Sequence, residues 1–390
     1  MTRPQTAYDA RRHADVVVVG GGASGLSAAA ALKTKGIDVV VLEEDARIGG
    51  TWARRYDRLH LHTVRGFSGL AHYGIPRRFP AYLSRDQFVE YLTEYAEHFG
   101  LQVITASPVG RISRDAAANE WRITTVTGGT WRSRVVVIAT GQYRIPVEPR
   151  WPGVDKYRGR LSHSSSYSNA SPYIGKRVLV VGAGNSGAEI ATDIAENGGA
   201  MVALSIRTPP PIVPRDPFGM PVQRTGILLS FLPSWIADRV GRLTSRLVLG
   251  DLTAYRIPRP KWGPFSARRV PLIDVGFVSA VKRGQIQIRP ALSSLTATGA
   301  VYSDGVEEPY DAIIAATGFT TGLEDLLEVD GVLDDSGEPL AASGADTGKP
   351  GLYFMGYTHS LRGHLFEARL ASKRLARGVG RYLRGGKKGN

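Results

Sequence analysis

Residues Tyr157 to Ala191 read YRGRLSHSSSYSNASPYIGKRVLVVGAGNSGAEIA. Arg177 to Val181 is a short apolar run, long enough for a strand buried in a parallel sheet. It runs straight into Gly182, Gly184 and Gly187, with Asn185 and Ser186 between them, and Ala188 to Ala195 continues with helical character. So tight a turn needs glycine for positive φ and for close approach of the backbone to a pyrophosphate. The helix N-terminus then offers free N–H groups and a partial positive charge to the phosphates. Alone, a Gly-x-Gly-x-x-Gly pattern is a weak signal; here a strand precedes it and a helix follows, which is the context that supports it.

The same device occurs earlier in the chain. Asp15 to Val19 reads as a strand, Gly20, Gly22 and Gly25 as the turn with Ala23 and Ser24 inside it, and Leu26 to Lys35 as an Ala-rich helix. Asp38 to Leu42 is the next strand and ends in Glu43, where a carboxylate can accept hydrogen bonds from the ribose hydroxyls of an adenosine. In the later copy the next strand is Met201 to Ile206, and the matching position holds Arg207. Arginine has donors only and suits a 2′-phosphate. The first site is therefore expected to prefer FAD or NAD and the second NADPH. Two sites of different preference in one chain lead to a two-cofactor flavoenzyme.

Composition agrees. A chain of 390 residues can build two domains around a large core. The formal charge of +14 raises nucleic acid as a partner, but the arginines are dispersed and no nucleic-acid-binding motif is present. A basic surface that attracts an anionic cofactor is the simpler reading. The chain has no cysteine, which removes disulfides, thiolate nucleophiles, Cys-ligated metals and a redox-active dithiol. Electrons must then pass to oxygen, to an organic substrate or to an external carrier. Met1 to Ala14 is polar and lacks the apolar core of a secretory signal. Ile227 to Leu249 carries Pro233, Asp238, Arg239, Arg242 and Arg246, too many charges for a bilayer span. A cytoplasmic protein with no transmembrane segment is expected; the oligomeric state is left open.

Between these motifs, Gly49, Gly50, Thr51 and Trp52 are expected to form a loop able to lie along a bound flavin, with Trp52 either at the ring or an apolar turn residue. Tyr56 to Arg65, YDRLHLHTVR, alternates like a strand and would place His60 and His62 on one side. No third ligand lies nearby, so no metal is expected. Ser84 can cap an amphipathic helix running to Phe99. Leu101 to Ile104, Val109 to Ile112, Glu120 to Thr125 and Thr130 to Ser133 suggest a small β element with a hairpin at Gly128-Gly129. Val135 to Ile138 is the next buried strand and ends in Ala139, Thr140 and Gly141; Ala312 to Ala315 is similar and ends in Ala316, Thr317 and Gly318.

Two such exits imply that one dinucleotide domain is inserted in the other. The expected fold class is α/β, with two Rossmann-like three-layer domains. Residues 1–150 and 318–390 would form the FAD domain, closed by a strand at Gly351 to Gly356 and a helix from about Gly363 to Arg377. Residues 151–317 would form the NADPH domain, carrying a helical insert at about 209–271. The apolar stripe of that insert, with Leu228, Leu229, Phe231, Leu232, Trp235, Ile236, Val240 and Leu243, is expected mostly to pack inward rather than to serve as a lid or a membrane surface.

On these residues the chain resembles class B flavin-dependent monooxygenases of the flavin-containing monooxygenase family. It is most similar to the YUCCA-type enzymes, which convert indole-3-pyruvate to indole-3-acetate. The family signature is an aromatic, any residue, Gly, three residues, His, three residues, Tyr or Phe, then Lys or Pro. Here it is Tyr157, Gly159, His163, Tyr167 and Ser168. Tyr167 matches the N/S-oxygenating branch rather than the Baeyer–Villiger branch, which carries Trp there; Ser168 departs from both. The similarity also runs through YDRLHLH, SRDQFVEYL, GKRVLVVGAGNSGAEIA, LGDLTAYRIPRP and YDAIIAATGF.

The resemblance implies FAD at Gly20, Gly22, Ala23, Ser24, Gly25 and Glu43, with Gly50, Thr51 and Trp52 along it. It implies NADPH at Gly182, Gly184, Asn185, Ser186 and Gly187, with Arg207 on the 2′-phosphate, while Thr140, Gly141, Thr317 and Gly318 complete the cofactor-lining set. Hydride would reduce the flavin, oxygen would add to give a C4a-(hydro)peroxyflavin shielded by retained NADP⁺, and a small organic substrate would take one oxygen atom. His163 is implied as a hinge residue. No catalytic side chain is assigned; the candidates are His62, Thr63 and Asn185. Animal-type N-oxygenating members carry an Asn in the segment that Leu59 to Val64 occupies here, and none is present. That tilts the reading towards a keto acid such as indole-3-pyruvate. The alternatives are N- or S-oxygenation, an NADPH-dependent flavin reductase or oxidase, and a non-catalytic dinucleotide-binding regulator.

Overall fold

The computed structural model describes residues 12–385, so most of the polar opening Met1–Ala14 lies outside the described residues. The valines of the strand His13–Val19 are all buried, and the strand has a parallel neighbour on both sides to take up its backbone hydrogen bonds. This strand pairs in parallel with Val39–Leu42, Val16 opposite Val39, and with Thr130–Ile138, Val17 opposite Val136. Gln102–Ile104 extends the sheet beyond Val39–Leu42, and Leu352–Phe354 pairs in parallel with the end of Thr130–Ile138. Helices Ala23–Lys33 and His364–Gly385 cover one face, with Leu32, Leu375 and Val379 against Val16 and Val18. Trp121, Ile123, Leu323 and Leu326 cover the other.

The second sheet is wholly parallel, in the order Ile286–Arg289, Met201–Ser205, Arg177–Val181, Ala312–Ala315, Arg160–His163. Helix Asn185–Glu196 packs Ile190 and Ile194 on one face, and the antiparallel strands Leu292–Leu295, Gly299–Tyr302 and Glu307–Pro309 supply Leu295, Ala300 and Tyr302 to the other. In both sheets the strand that feeds the glycine turn lies between its successor strand and the strand ending in Ala-Thr-Gly. In sequence, every strand of the second sheet falls between Thr130–Ile138 and Leu352–Phe354 of the first.

Several local expectations are corrected. Thr130–Ser133 and Val135–Ile138 are one continuous strand. Its first half alternates in burial and pairs antiparallel with Glu120–Thr125, while its second half is buried on both faces; one backbone serves two environments. Gln102–Ile104 belongs to the parallel part of the sheet and not to a separate β element. Tyr56–Arg65 is not a strand. The Leu59 N–H turns back on the Tyr56 carbonyl, and the pairing with residues 83–85 is a single bridge at His60, so alternation over so few residues had no neighbouring strand to register against. Gly49 has φ 68°, and the expected loop after it is a short helix, Gly50–Ala53.

The 209–271 insert leaves and returns through two short parallel strands, Ile212–Pro214 and Leu272–Asp274. Between them lie helices Val222–Leu229 and Ser234–Leu249. The expectation that their apolar stripe packs inward is overturned for most of it: Leu228, Phe231, Leu232, Trp235, Val240 and Leu243 are exposed, while Leu229 and Ile236 are half-buried and Leu229 lines a cavity. The inward side of Ser234–Leu249 is made instead by Ala237, Gly241 and Ser245, whose small side chains leave a cavity rather than fill it. Among the described residues, no helix is long and apolar enough to cross a membrane.

Candidate functional site

The two glycine turns are built alike. Gly20 has φ 111° and Gly182 φ 115°, values that a side chain resists. A methyl group on Gly25 would stand 1.9 Å from the Gly20 carbonyl oxygen, and one on Gly187 would stand 1.9 Å from the Gly182 carbonyl oxygen. These glycines let each helix press onto its strand. Gly22 and Gly184 differ: no atom lies within 4 Å of a methyl placed on either, so both face open space at a helix start with no side-chain cap. Uncapped N–H groups beside such a gap fit a phosphate. Gly141 and Gly318, at the ends of the Ala-Thr-Gly strands, also face open space.

Glu43 is buried at the end of Val39–Leu42. One of its oxygens accepts from Gly21 N–H at 2.5 Å and the other from Asp45 N–H at 2.9 Å. Burial pushes its pKa up to about 7, against the lowering effect of the Gly21 hydrogen bond. Ala23 and Ser24 lie buried in the first turn of the helix, and Thr140 Oγ1 hydrogen-bonds the Tyr357 hydroxyl at 2.8 Å. Thr51 is exposed, and the Trp52 ring packs edge-on to Phe88 at 4.6 Å, in the core. Gly50 stands against Asp45, whose Oδ2 is buried without a hydrogen-bond partner among the described residues.

At the second turn, Arg207 follows Met201–Ser205 and is exposed. The Asn185 amide oxygen accepts from Ile273 N–H at 2.7 Å, and its amide nitrogen donates to the Pro271 carbonyl at 3.2 Å. Asn185 thus holds the returning end of the insert, and it does not line the cavity described below. Thr317 Oγ1 donates to the Val147 carbonyl at 2.6 Å. His163 Nδ1 accepts from Ser165 N–H at 3.1 Å, which leaves Nε2–H to donate to the Gly318 carbonyl at 3.1 Å. Burial lowers the His163 pKa, in keeping with a neutral ring.

A cavity of about 530 Å³ opens under the insert. Its walls come from His62 and Thr63, from Gln142 and Tyr143 just after Gly141, from the insert, and from residues 359–364. Two of the three catalytic candidates, His62 and Thr63, therefore reach it. His62 Nε2 lies 2.5 Å from Glu189 Oε1, and Thr63 Oγ1 accepts from Ser68 Oγ at 2.8 Å. His60 instead faces solvent with Nδ1 on the Arg58 carbonyl, and no cluster of metal-ligating residues occurs among the described residues. Sequence reasoning missed Gln142, whose Oε1 is buried without a partner, and Gln223, which joins Val64 N–H to the Arg362 carbonyl. It also missed Glu189; the signal there was an acid in the apolar face of the helix that follows the glycine turn.

A parallel sheet repeated with its glycine turn, in a chain without cysteine, defines an oxidoreductase of the two-dinucleotide class. The model of the pyridine nucleotide-disulphide oxidoreductase family matches residues 17–212. Indole-3-pyruvate monooxygenase YUCCA8 of Oryza sativa subsp. indica is 36% identical over 361 residues, covering 88% of this chain and 86% of that protein. Indole-3-pyruvate monooxygenase YUCCA6 of Arabidopsis thaliana is 35% identical over 376 residues, covering 93% and 89%. The solved flavin-containing monooxygenase from Stenotrophomonas maltophilia superposes with a TM-score of 0.72 at 26% identity, covering 95% of this chain and 99% of that one. The chain belongs to the flavin-containing monooxygenase family, within the pyridine nucleotide-disulphide oxidoreductase group, and is an enzyme of that kind.

Proposed function

We propose that this protein is an NADPH- and O₂-dependent FAD monooxygenase acting on a small keto acid, with indole-3-pyruvate as the leading substrate. The observation that carries the reading is the pair of open glycine turns on two parallel sheets, the first followed by buried Glu43 and the second by exposed Arg207. Residues 1–150 with 318–390 are assigned to FAD and residues 151–317 to NADPH. Gly20, Gly22, Ala23, Ser24 and Gly25 would receive the FAD pyrophosphate and Glu43 its ribose; Gly50 and Thr51 would border it. Gly182, Gly184, Ser186 and Gly187 would receive NADPH, with Arg207 on the 2′-phosphate. Bound FAD supplies the hydride-accepting and oxygen-activating chemistry.

The chain's own contribution is placement and exclusion of water. His163 is held neutral and donates to the Gly318 carbonyl, which fixes the end of one Ala-Thr-Gly segment against the family-signature segment. Gln142 presents an unpaired buried carbonyl oxygen in the cavity wall, available to an N–H donor. The relatives named as indole-3-pyruvate monooxygenases support that substrate. The balanced reaction consumes keto acid, NADPH, a proton and O₂, and yields the shorter acid, CO₂, NADP⁺ and water.

The test supplies the FAD-loaded enzyme with NADPH, air and indole-3-pyruvate, and measures indole-3-acetate and hydrogen peroxide per NADPH oxidised. About one acetate per NADPH with little peroxide is expected. Peroxide formed in step with NADPH, whatever the substrate, would make the protein an oxidase. Oxygenation of amines or sulfides with indole-3-pyruvate inert would move the substrate class.

A further inference from the structure

The insert presents an apolar face, with Arg239 among its exposed side chains, for which nothing inside the protein accounts. In the helix Ser234–Leu249, Ala237, Gly241, Ser245 and Leu249 recur every four residues and line the cavity. Trp235, Arg239, Leu243 and Leu247 recur in step on another side and point to solvent. Trp235 is 66% exposed, Leu243 60% and Leu247 68%, and just before the helix Phe231 is 79% exposed. None of the four lines the cavity, so shaping the active site does not explain them. Large apolar side chains exposed together mark a surface that meets something else.

Charge selects the partner. Residues 209–271 hold ten Lys and Arg against three Asp and no Glu. One of those acids, Asp238, is buried and turned inward onto the backbone N–H groups of Phe265 and Ser266. A second copy of the chain would set one basic insert against another, whereas an anionic lipid surface offers the opposite charge. We propose that the Val222–Leu249 region docks in the plane of an anionic lipid surface. Phe231, Trp235, Leu243 and Leu247 enter the headgroup layer, and Arg239 meets the phosphates. The cavity lies on the inward side of the same helix, so docking leaves the site's own walls untouched.

The test uses the full chain with FAD bound, sedimented with vesicles of phosphatidylcholine alone or of phosphatidylcholine with phosphatidylglycerol. Binding at least about tenfold tighter to the anionic vesicles, weakened by added salt, is expected. Trp235→Ser combined with Leu243→Ser should abolish it while NADPH oxidation and FAD content stay unchanged, so that failure of docking and failure of the proposed chemistry are read separately. Arg239→Glu removes no apolar surface and should weaken binding to the anionic vesicles. No binding, or equal binding to both kinds of vesicle, overturns the proposal. A dimer that the double variant converts to monomer, with no vesicle binding, also overturns it and makes the face a contact between copies. If the double variant does not fold, the lipid and salt comparison on the unaltered protein, with Arg239→Glu, still decides.

Discussion

Glu43 shows how much one side chain can carry. Its carboxyl has been taken out of water, which outweighs the Gly21 hydrogen bond and the Arg54 charge, and the result is a folded-state pKa raised from 4.5 to about 7. A raised pKa means that the folded protein holds the proton more tightly than the unfolded chain. The associated stability is present below about pH 4.5 and is lost as pH rises through 7; the full effect of such a shift is roughly 3 kcal/mol. Without FAD, the protein should therefore melt at lower temperature at pH 8 than at pH 5. Glu43→Gln should flatten that dependence while weakening FAD binding. Melting curves at the two pH values, with and without FAD, check both halves; an unchanged pH dependence in the variant would remove Glu43 from the account. Arg207 makes the complementary case. Because its guanidinium is exposed, Arg207→Ala should leave stability alone and weaken NADPH binding by roughly tenfold, with little effect on NADH. Equal loss for both nucleotides would sink the 2′-phosphate assignment.

At the scale of the element, the glycine turns separate two jobs that one motif performs. Gly187→Ala would drive a methyl group into the Gly182 carbonyl and should destabilise the protein by about 3 kcal/mol, read as a fall in melting temperature. Gly184→Ala meets open space and should fold normally yet lose NADPH-driven flavin reduction with FAD retained. Loss of FAD from Gly184→Ala would mean that the two sites are assigned in reverse. These turns were legible because glycine at fixed spacing after a buried valine run has few other uses, and Ser84 was legible as a cap because a helical apolar pattern follows it; the reciprocal bond from Gln87 that makes it a capping box was not read. Other elements were not. Thr130–Ile138 passes from a half-exposed hairpin into a fully buried sheet, so its pattern changes period midway and looks like two strands. The alternation in Tyr56–Arg65 had no partner strand. The insert's apolar stripe reads from sequence like a core face, and only the placement of Ala237, Gly241 and Ser245 reveals that the core side is the opposite one.

For the whole molecule, the question is how two glycine turns on separate sheets are held relative to each other. The segment 56–63 is the joint. It contributes His62 and Thr63 to the cavity, and it reaches the helix after the second glycine turn through His62 on Glu189 and Arg58 on Glu196. Asp57 adds a backbone bond from its N–H to the Ser168 carbonyl and accepts from Asn169 at 3.0 Å. Glu189 is buried, and burial with Glu189 alongside holds Tyr56 protonated well past its usual range. Glu189 therefore ties the helix that starts at the second glycine turn to the segment that lines the cavity. Displacing reacting groups by about 1 Å can cost on the order of a hundredfold in rate. Glu189→Ala should retain FAD, because no FAD-assigned residue touches it, yet slow flavin reduction by NADPH at least about tenfold. Glu189→Gln keeps the shape and a hydrogen bond to His62, and should fall between that variant and the unaltered protein. Anaerobic rapid mixing with NADPH measures the reduction rate directly. If Glu189→Ala lost FAD, or reduced at the normal rate, the joint would not set the distance between the two turns, and the pairing of His62 with Glu189 would matter only for folding.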